Sequence, residues 1–377
     1  MQKGPSHFAL IPHWPEIRGH YESFWSHQNN GVVLAHIQNL NPCRPDPEPW
    51  MVEVSDEKYL DPEKFHKLLR WRRTAWNWHA DLFQYLLPSY GPNVFTGFCG
   101  GKPVFGADTV WHEPVISSLD EADTIHFDED NYYWKKHLET VAYFSERCAG
   151  EQLLGMTDLG GPTDWIATLM GTEHFLFACM EEPGKMHDFA LRLAHECNRA
   201  FDILHPLITA RNDGAVIHLP VWSCGRLGII QDDMAMNLSP RMYKDIFLPA
   251  LVAQAAHTEH TALHWHDASG YHLDTLLDVD EIDLIQYGHD PNTGPVRSKI
   301  NAMQAIQSAG KALFIGCEDP RDVPFFIDNL KPDKLIILIY TANDDESRKM
   351  EDLVKTWVEN RSANLCAATE SDHALAP

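Results

Sequence analysis

The sequence LIILIY, residues 335–340, is the longest strongly apolar run in this chain of 377 residues. Shorter runs of Val, Ile, Leu and Phe recur along the chain, and a longer amphipathic helical pattern follows most of them. Near-continuous apolar content is typical of strands that are covered on both faces, as in a parallel sheet. The runs that qualify as strands are Val32–His36, Asn93–Phe98, Leu153–Thr157, Ala215–Leu219, Ala262–Trp265, Asp283–Tyr287, Ala312–Gly316 and Leu335–Tyr340.

Eight strands that alternate with helices predict an α/β fold of the (β/α)8 TIM-barrel type. Two helix starts support the alternation, because Ser239-Pro240 and Asp319-Pro320 each combine a capping residue with proline at the first helical position. A doubly wound open sheet is the alternative. It lacks support, since no GxGxxG motif follows the first strand.

The N-terminal part of the chain is unusually rich in tryptophan, with six between Trp14 and Trp78. We interpret residues 1–90 as a helical elaboration that packs on the barrel and covers its mouth. Residues 91–362, together with the strand at 32–36, would form the barrel itself. Residues 363–377 are expected to be a flexible tail.

The charge balance excludes several classes of partner. Lys and Arg number 30 against 54 Asp and Glu, which gives a formal net charge of −24. Nucleic acids and anionic membranes both favour a basic surface, so neither is expected as a partner. The start of the chain lacks a secretory signal, and the apolar runs are too short to span a bilayer. Eight scattered cysteines favour free thiols and a cytoplasmic protein.

In a barrel, the functional residues lie where the strands end at their carboxyl side. The sharpest feature there is His264-Trp265-His266-Asp267. Residues i and i+2 of a strand point to the same side, so His264 and His266 could reach one metal ion together. Asp267 could bind the ion or orient an imidazole, which would suit a catalytic zinc site with an open position. The alternative is a pair of hydrogen-bonded histidines without a metal.

Other strand ends supply further candidates, each with a structural alternative. Asp158 precedes two glycines and could hold an anionic substrate group or belong to a helix cap. Asp232 and Asp233 could act as general acid or base, or form a solvated loop. Cys317 could be a metal ligand or a plain buried cysteine. The remaining candidates could transfer protons or line a substrate pocket, and core packing is the alternative for each aromatic residue. They are His218, Gln231, Trp111, Trp222, Tyr287 and Tyr340.

At these residues the chain resembles the uroporphyrinogen decarboxylase superfamily, which includes the corrinoid-dependent methyltransferases. The resemblance spans about Gly155 to Lys355. The segments that carry it are Asp158–Trp165 with Gly171 and Glu182-Pro183, Asp232-Asp233 through Ser239-Pro240 with Phe247 and Pro249, Leu263–His266, and Gly316–Pro320.

The resemblance implies a specific chemistry. In the methyltransferase branch, a His-x-Cys pair and a later cysteine hold zinc, and a methyl group passes to or from a corrinoid carried on a partner protein. Here His266 stands where that branch has its first cysteine, and Thr341-Ala342-Asn343 stand where it has the later one. The resemblance therefore implies zinc on His264 and His266, completed by Cys317, Asp267, Asp233 or Glu318. It also implies a methylated or methoxylated small substrate and a homodimer.

Two other functions stay open. A metal-free decarboxylase acting on a small or porphyrinogen-like carboxylate would use Asp158 to stabilise a protonated intermediate, with His218 or Tyr340 as the proton donor. The arginine-rich N-terminal motif of the porphyrinogen decarboxylases is absent, and only Arg44 lies near the first strand. A barrel that binds a ligand without catalysis is the third interpretation.

Overall fold

The computed structural model describes residues 7–26, 33–290 and 292–373, with the backbone alone for residues 361–373. Val32 of the first predicted strand and residues 374–377 of the predicted tail lie outside these ranges. The strands are β1 Val33–Leu40, β2 Trp76–Ala80, β3 Tyr85–Leu86, β4 Lys102–Phe105, β5 Val110–Glu113, β6 Leu153–Leu154, β7 Ala215–Val216, β8 Trp222–Ser223, β9 Leu227–Gln231, β10 His260–His266, β11 Leu284–Gly288, β12 Ala312–Cys317 and β13 Leu335–Thr341.

Helices surround these strands. The α-helices are α1 Trp14–Trp25, α2 Pro49–Val52, α3 Glu57–Leu60, α4 Pro62–Arg73, α5 Val94–Phe98, α6 Tyr132–Cys148, α7 Pro162–Met170, α8 Thr172–Glu181, α9 Pro183–Thr209, α10 Pro240–Met242, α11 Leu248–Ala255, α12 Leu273–Leu277, α13 Ile300–Ser308, α14 Val323–Asn329 and α15 Asp344–His373. A π-helical segment, Tyr243–Phe247, joins α10 to α11. No helix of the described residues is long and apolar enough to cross a membrane.

A seven-stranded sheet forms the centre of the molecule, in the order β2-β1-β13-β12-β11-β10-β9. Its neighbours pair in parallel, except that β2 runs antiparallel to β1. Parallel strands need crossover connections, and helices supply them. The predicted α/β class is thereby confirmed.

The closed barrel is not established by the strand pairing of the described residues. β3 pairs with β6 in a separate two-stranded sheet, and β7 pairs with β8 in another. Single backbone hydrogen bonds continue the series, since the Gly155 N–H donates to Leu86 O and the Met156 N–H donates to Val216 O. Between β1 and β9, the segments β3, β6 and β7 therefore do not form a continuous ladder of strand pairs.

Three of the predicted strands need correction, and one of them, Leu153–Thr157, is reduced to the two-residue β6. Residues 93–98 form helix α5, because Asn93 adopts a left-handed conformation with φ of 57° and turns the chain into a helix. The run Ala215–Leu219 contributes only the short β7, which belongs to a hairpin with β8. The strand next to β10 is instead β9, which the sequence analysis missed.

Both predicted helix caps are present. The Ser239 side chain accepts a hydrogen bond from the Met242 N–H at 3.2 Å, and Asp319 accepts one from the Arg321 N–H at 3.0 Å. Such caps satisfy N–H groups that the first helical turn leaves without a partner. They fix where the chain turns back from the strand ends.

The N-terminal segment packs into the core. In α1 the Trp14 ring lies 5.5 Å from that of Trp222, and its indole N–H donates to Asp213 at 3.0 Å. Residues 1–90 contain β1, β2 and β3 as well as helices, and α15 runs across residue 362 without a break. The domain boundaries at 90 and 362 stay predictions.

Candidate active site

Three side chains converge at the carboxyl ends of β9 and β10. The Nε2 atoms of His264 and His266 lie 2.9 Å apart. Asp233 Oδ1 lies 4.0 Å from His264 Nε2 and 3.7 Å from His266 Nε2. Among the described residues, these three form the group whose ligand atoms are close enough to share one metal ion.

Strand alternation explains why the histidines meet. His264 and His266 are two residues apart on β10 and therefore face the same side. In register with His264 lie Gln231 on β9 and Gln286 on β11. Opposite His266 is Gly288, where an added Cβ would lie 3.3 Å from His264 and 3.0 Å from the Trp265 carbonyl oxygen. The absence of a side chain at Gly288 leaves room for the imidazoles.

Hydrogen bonds fix the orientation of both rings. The Nδ1 of His264 contacts the amide oxygen of Gln286, and the Nδ1 of His266 lies 2.9 Å from Asp290 Oδ1. Because both partners are acceptors, each Nδ1 carries the proton and each Nε2 presents a lone pair. Asp233 Oδ1 is buried and has no hydrogen-bond partner among the described residues. With these tautomers three acceptor atoms face one another, and the 2.9 Å contact between the two Nε2 atoms needs a shared proton or a cation.

Asp267 lies outside this cluster, which corrects its assignment as a possible ligand. Its carboxylate accepts hydrogen bonds from the Tyr287 hydroxyl, the His289 ring and the Thr293 hydroxyl. Burial acts to raise its pKa, but the hydrogen bonds from Thr293 and its other partners outweigh that and lower it. As the residue after His266, Asp267 faces the opposite side of the strand.

Cys317 also lies outside the cluster. It pairs with Ile339 and shares the strand face of Ile315, whereas His264 shares the face of Gln286 and Phe314. Its thiol donates to the Asp319 carbonyl oxygen at 3.1 Å. Burial raises the pKa of this thiol to about 12, which keeps it protonated at neutral pH. The structure therefore does not bring the Cys317 thiol to the three converging side chains.

A second acid–imidazole pair lies beside the cluster. The His218 ring centroid is 6.5 Å from that of His264, and His218 Nδ1 is 3.6 Å from Asp158 Oδ2. The Gln231 side chain lies 3.0 Å from His218 Nε2 and can donate to it, which leaves the proton on Nδ1, facing Asp158. Burial lowers the pKa of His218, and the nearby charge of Asp158 opposes that shift.

Asp232 and Asp233 are neighbours with opposite environments. Asp232 is buried and accepts hydrogen bonds from the Thr163 N–H at 2.7 Å and the Tyr243 hydroxyl at 2.8 Å. Burial raises its pKa to about 6. Asp232 thus ties the end of β9 to the start of α7, and it lines the same small cavity as His264 and His266. The catalytic assignment of Asp232 stays a prediction, and Asp233 is the carboxylate with an oxygen within 4.0 Å of both imidazoles.

The aromatic candidates do not share one pocket wall. Trp222 is fully buried and its indole N–H donates to the Asp213 carbonyl oxygen, so it belongs to the core. Tyr287 is buried on the outer face, where its hydroxyl holds Asp267. Tyr340 packs against Trp76 at 5.9 Å. Trp111 is 53% exposed and lines a cavity of about 320 Å³ together with Met234, the residue after Asp233.

Sequence reasoning missed Gln286 as an orienting group for His264 and Asp290 for His266. Gln286 carried a usable signal, because it occupies the inward-facing position in register with His264. Asp290 lies two residues beyond β11 in a loop. Its position depends on tertiary contacts that no local pattern announces.

Comparison with known proteins supports the fold. No family model matches the sequence. No curated protein matches it either. Among solved structures, the chain is similar to a methyltransferase from Methanosarcina mazei, with 12% sequence identity, coverage of 96% of this chain and 94% of that chain, and a TM-score of 0.51. At this identity the two chains share a fold, and the activity must be argued from the site.

Proposed function

We propose that this chain is an enzyme that binds one zinc ion on Asp233, His264 and His266 and uses it to transfer a methyl group. The observation that carries the proposal is the convergence of two imidazole lone pairs and an unpartnered carboxylate oxygen. Acceptor atoms this close repel one another, and a metal ion or a shared proton between them removes the repulsion.

The spacing of the three atoms fits zinc. Two ligands each about 2.1 Å from a tetrahedral ion lie about 3.4 Å apart. The observed separations of 2.9, 3.7 and 4.0 Å bracket that value. Three protein ligands leave a coordination position for substrate, as catalytic zinc sites do. A proton on one imidazole is the competing explanation, which metal analysis distinguishes.

When bound, zinc would act as a Lewis acid on the heteroatom that carries the methyl group. His218 and Asp158 provide the proton chemistry beside it. A departing oxygen, nitrogen or sulfur atom takes up a proton, and His218 in its imidazolium form, with its Nδ1 3.6 Å from Asp158, would supply it and return to the neutral ring. Burial lowers the pKa of His218 and the nearby charge of Asp158 opposes that shift, so Asp158 favours the imidazolium form that would donate the proton.

The methyl-transfer assignment and the acceptor rest on two kinds of similarity. The motifs from Asp158 to Pro320 resemble the uroporphyrinogen decarboxylase superfamily, and the fold is similar to that of a methyltransferase. We therefore propose a divergent member whose substrate is a small methylated or methoxylated compound. The acceptor would be a corrinoid on a partner protein, and the chain would act as a homodimer. The seven described cysteines with free thiols favour a cytoplasmic location.

A closed barrel is the fold that we propose for this chain. Eight strands, β1, β3, β6, β9, β10, β11, β12 and β13, would form an irregular (β/α)8 barrel. Support comes from the hydrogen bond of the Asp81 N–H to Ala35 O and from the close approach of Gly161 to the end of β9, where an added Cβ would lie 2.0 Å from the Gln231 carbonyl oxygen. The β7–β8 hairpin would then be an insertion before β9.

An activity assay tests the proposal. The zinc-loaded full chain is mixed with cob(I)alamin and a panel of O-, N- and S-methylated small molecules, and methylcobalamin formation is followed by absorbance. We expect zinc-dependent methylation with at least one donor class, and its loss in His264→Ala. Equal rates with and without zinc, or with and without protein, would contradict the proposal.

The metal-free decarboxylase is a second candidate, and the contact between Asp158 and His218 favours it. In that reaction Asp158 would stabilise the protonated substrate and His218 would protonate the carbon. Release of CO2 from a carboxylic acid at an undiminished rate in His264→Ala would establish this function instead.

A further inference from the structure

Asp290 contacts the candidate site from the loop after β11. The proposed chemistry assigns no role to this residue. Its Oδ1 lies 2.9 Å from His266 Nδ1, and its Oδ2 accepts a hydrogen bond from the Ala268 N–H at 2.9 Å. Both oxygens are therefore committed to the segment that carries His266. One carboxylate fixes the ring and the backbone beside it at the same time.

This contact decides which nitrogen of His266 can bind a ligand. A neutral imidazole carries its proton on one nitrogen only. Because a carboxylate accepts from Nδ1–H, the proton stays there and the Nε2 lone pair points at Asp233 and His264. The carboxylate also makes the ring a stronger donor toward a cation.

Asp267 holds the loop that carries Asp290. Its side chain is 2% exposed and accepts from the Asp290 N–H at 3.2 Å, from the Thr293 hydroxyl at 2.7 Å and from the His289 ring at 3.1 Å. A carboxylate is buried at such cost only when donors compensate it, and here several donors belong to one short loop. The loop is thereby fixed relative to the end of β10.

We infer that Asp290 is the positioning residue of this site, which sets the tautomer of His266, and that Asp267 anchors it. The effect on metal affinity rests on the proposed zinc site, whereas the effect on the tautomer does not. Removal of such an orienting group costs roughly 10- to 100-fold in metal affinity. We expect that range for Asp290→Asn.

Asp290→Asn is a sharp substitution, because an amide has only one acceptor oxygen. Asparagine can serve either His266 or the Ala268 N–H, but not both. If the oxygen turns to Ala268, the amide N–H₂ faces His266 Nδ1 and favours the opposite tautomer. Asp290→Glu keeps both acceptors and is the matched rescue variant. Asp123→Asn, at an exposed site, is the charge control.

The test uses the full chain labelled with ¹⁵N-histidine, freed of metal and held at pH 8. Long-range ¹H–¹⁵N correlation spectra report the tautomer, and His266→Gln identifies the signal. Wild type and Asp290→Glu should show the Nδ1–H form of His266, and Asp290→Asn should shift toward Nε2–H. Zinc affinity is then measured by competition with a chelator, and thermal unfolding verifies that each variant folds.

The outcomes separate the two proposals. An unchanged tautomer in Asp290→Asn, or a zinc dissociation constant within twofold of wild type where wild type binds zinc, overturns the inference. A tautomer shift in a wild-type background that binds no zinc supports the positioning role and contradicts the metal site. A shift accompanied by weaker zinc binding supports both.

Discussion

Two sets of histidines in this molecule carry their protons on opposite nitrogens. In the core, His36 Nε2 lies 2.8 Å from the Tyr21 hydroxyl and His137 Nε2 lies 2.7 Å from the Thr157 hydroxyl. Each hydroxyl donates onward to a backbone carbonyl oxygen, so each histidine donates through Nε2. At the strand ends, His264 and His266 donate through Nδ1, and their Nε2 atoms face each other at 2.9 Å.

The difference shows what separates the packed histidines from those of the candidate site. The core rings are fully buried, and the Nδ1 of each has no hydrogen-bond partner. Burial lowers the pKa of His36 to about 4 and that of His137 to about 3. The Nδ1 atoms of His36 and His137 each lie alone in the core. The Nε2 atoms of His264 and His266 face each other and the Asp233 carboxylate. Convergence of acceptors, rather than burial, marks the candidate site.

The largest expected effect is loss of zinc on substitution of a converging ring. His266→Ala removes one of three ligands, so we expect zinc affinity to fall at least about 1,000-fold, well beyond the effect of a supporting residue. Methyl transfer should be lost with it. The matched control, His195→Ala at an exposed position, should bind zinc as wild type does. Metal analysis after dialysis measures both, and equal zinc content in the two variants would contradict the site.

The core histidines predict an acid-sensitive stability. An unfolded histidine has a pKa of about 6.5, so between pH 6.5 and pH 4 the unfolded state binds more protons than the folded state. The free energy of unfolding should therefore be highest above pH 6.5, where both histidines are neutral in the folded and unfolded states. It should fall as the pH drops toward 4, by roughly 3 kcal/mol for each such histidine. Urea unfolding of wild type and His137→Gln at several pH values measures this. A variant with the same slope as wild type would show that His137 is not held neutral.

Asp232 and Asp233 should respond to the same substitution in opposite ways. Asp232→Asn leaves a buried donor from Thr163 or Tyr243 without an acceptor and should cost roughly 2 kcal/mol of unfolding free energy, with zinc affinity nearly unchanged. Asp233→Asn should weaken zinc binding at least about tenfold and leave stability within about 0.5 kcal/mol. Chemical denaturation and chelator competition on both variants decide the assignment. The reverse pattern would exchange the roles of the two residues.

The smallest expected effects distinguish two tryptophans. Trp222→Phe leaves a gap in the core and removes the donor to Asp213, so we expect roughly 1–2 kcal/mol of lost stability and an unchanged KM. Trp111→Phe lies at an exposed position and should change stability by less than about 0.5 kcal/mol. Denaturation and steady-state kinetics separate the two. A raised KM in Trp222→Phe with unchanged stability would restore its role as a pocket wall.

The strands that are buried on both faces could be predicted from the sequence, and the exceptions have local causes. Residues 335–340 form most of β13, because no polar residue, glycine or proline interrupts the apolar run LIILIY. β9 contains Gly228, where an added Cβ would lie 3.1 Å from Thr258, and this glycine obscured the pattern. At residues 93–98 the apolar run is too short to distinguish strand from helix, and the left-handed Asn93 decided for the helix.

For the candidate site, alternation along β10 was sufficient to place His264 and His266 on one side. The same rule, applied strictly, excludes Asp267 as a partner, since it follows His266 by one residue. It also excludes Cys317, which lies on the strand face of Ile315. The third group, Asp233, and the orienting Asp290 come from loops after β9 and β11. Loop contacts of this kind arise from tertiary packing and have no periodic signal.

X-ray absorption spectroscopy of the zinc-loaded full chain tests the central claim most directly. The account predicts one zinc per chain with nitrogen and oxygen neighbours at about 2.0–2.1 Å and the multiple-scattering features of two imidazoles. A sulfur neighbour at about 2.3 Å would contradict it by showing a cysteine ligand. Zinc content no higher than that of His264→Ala would contradict it as well, because the converging acceptors would then be satisfied by a proton.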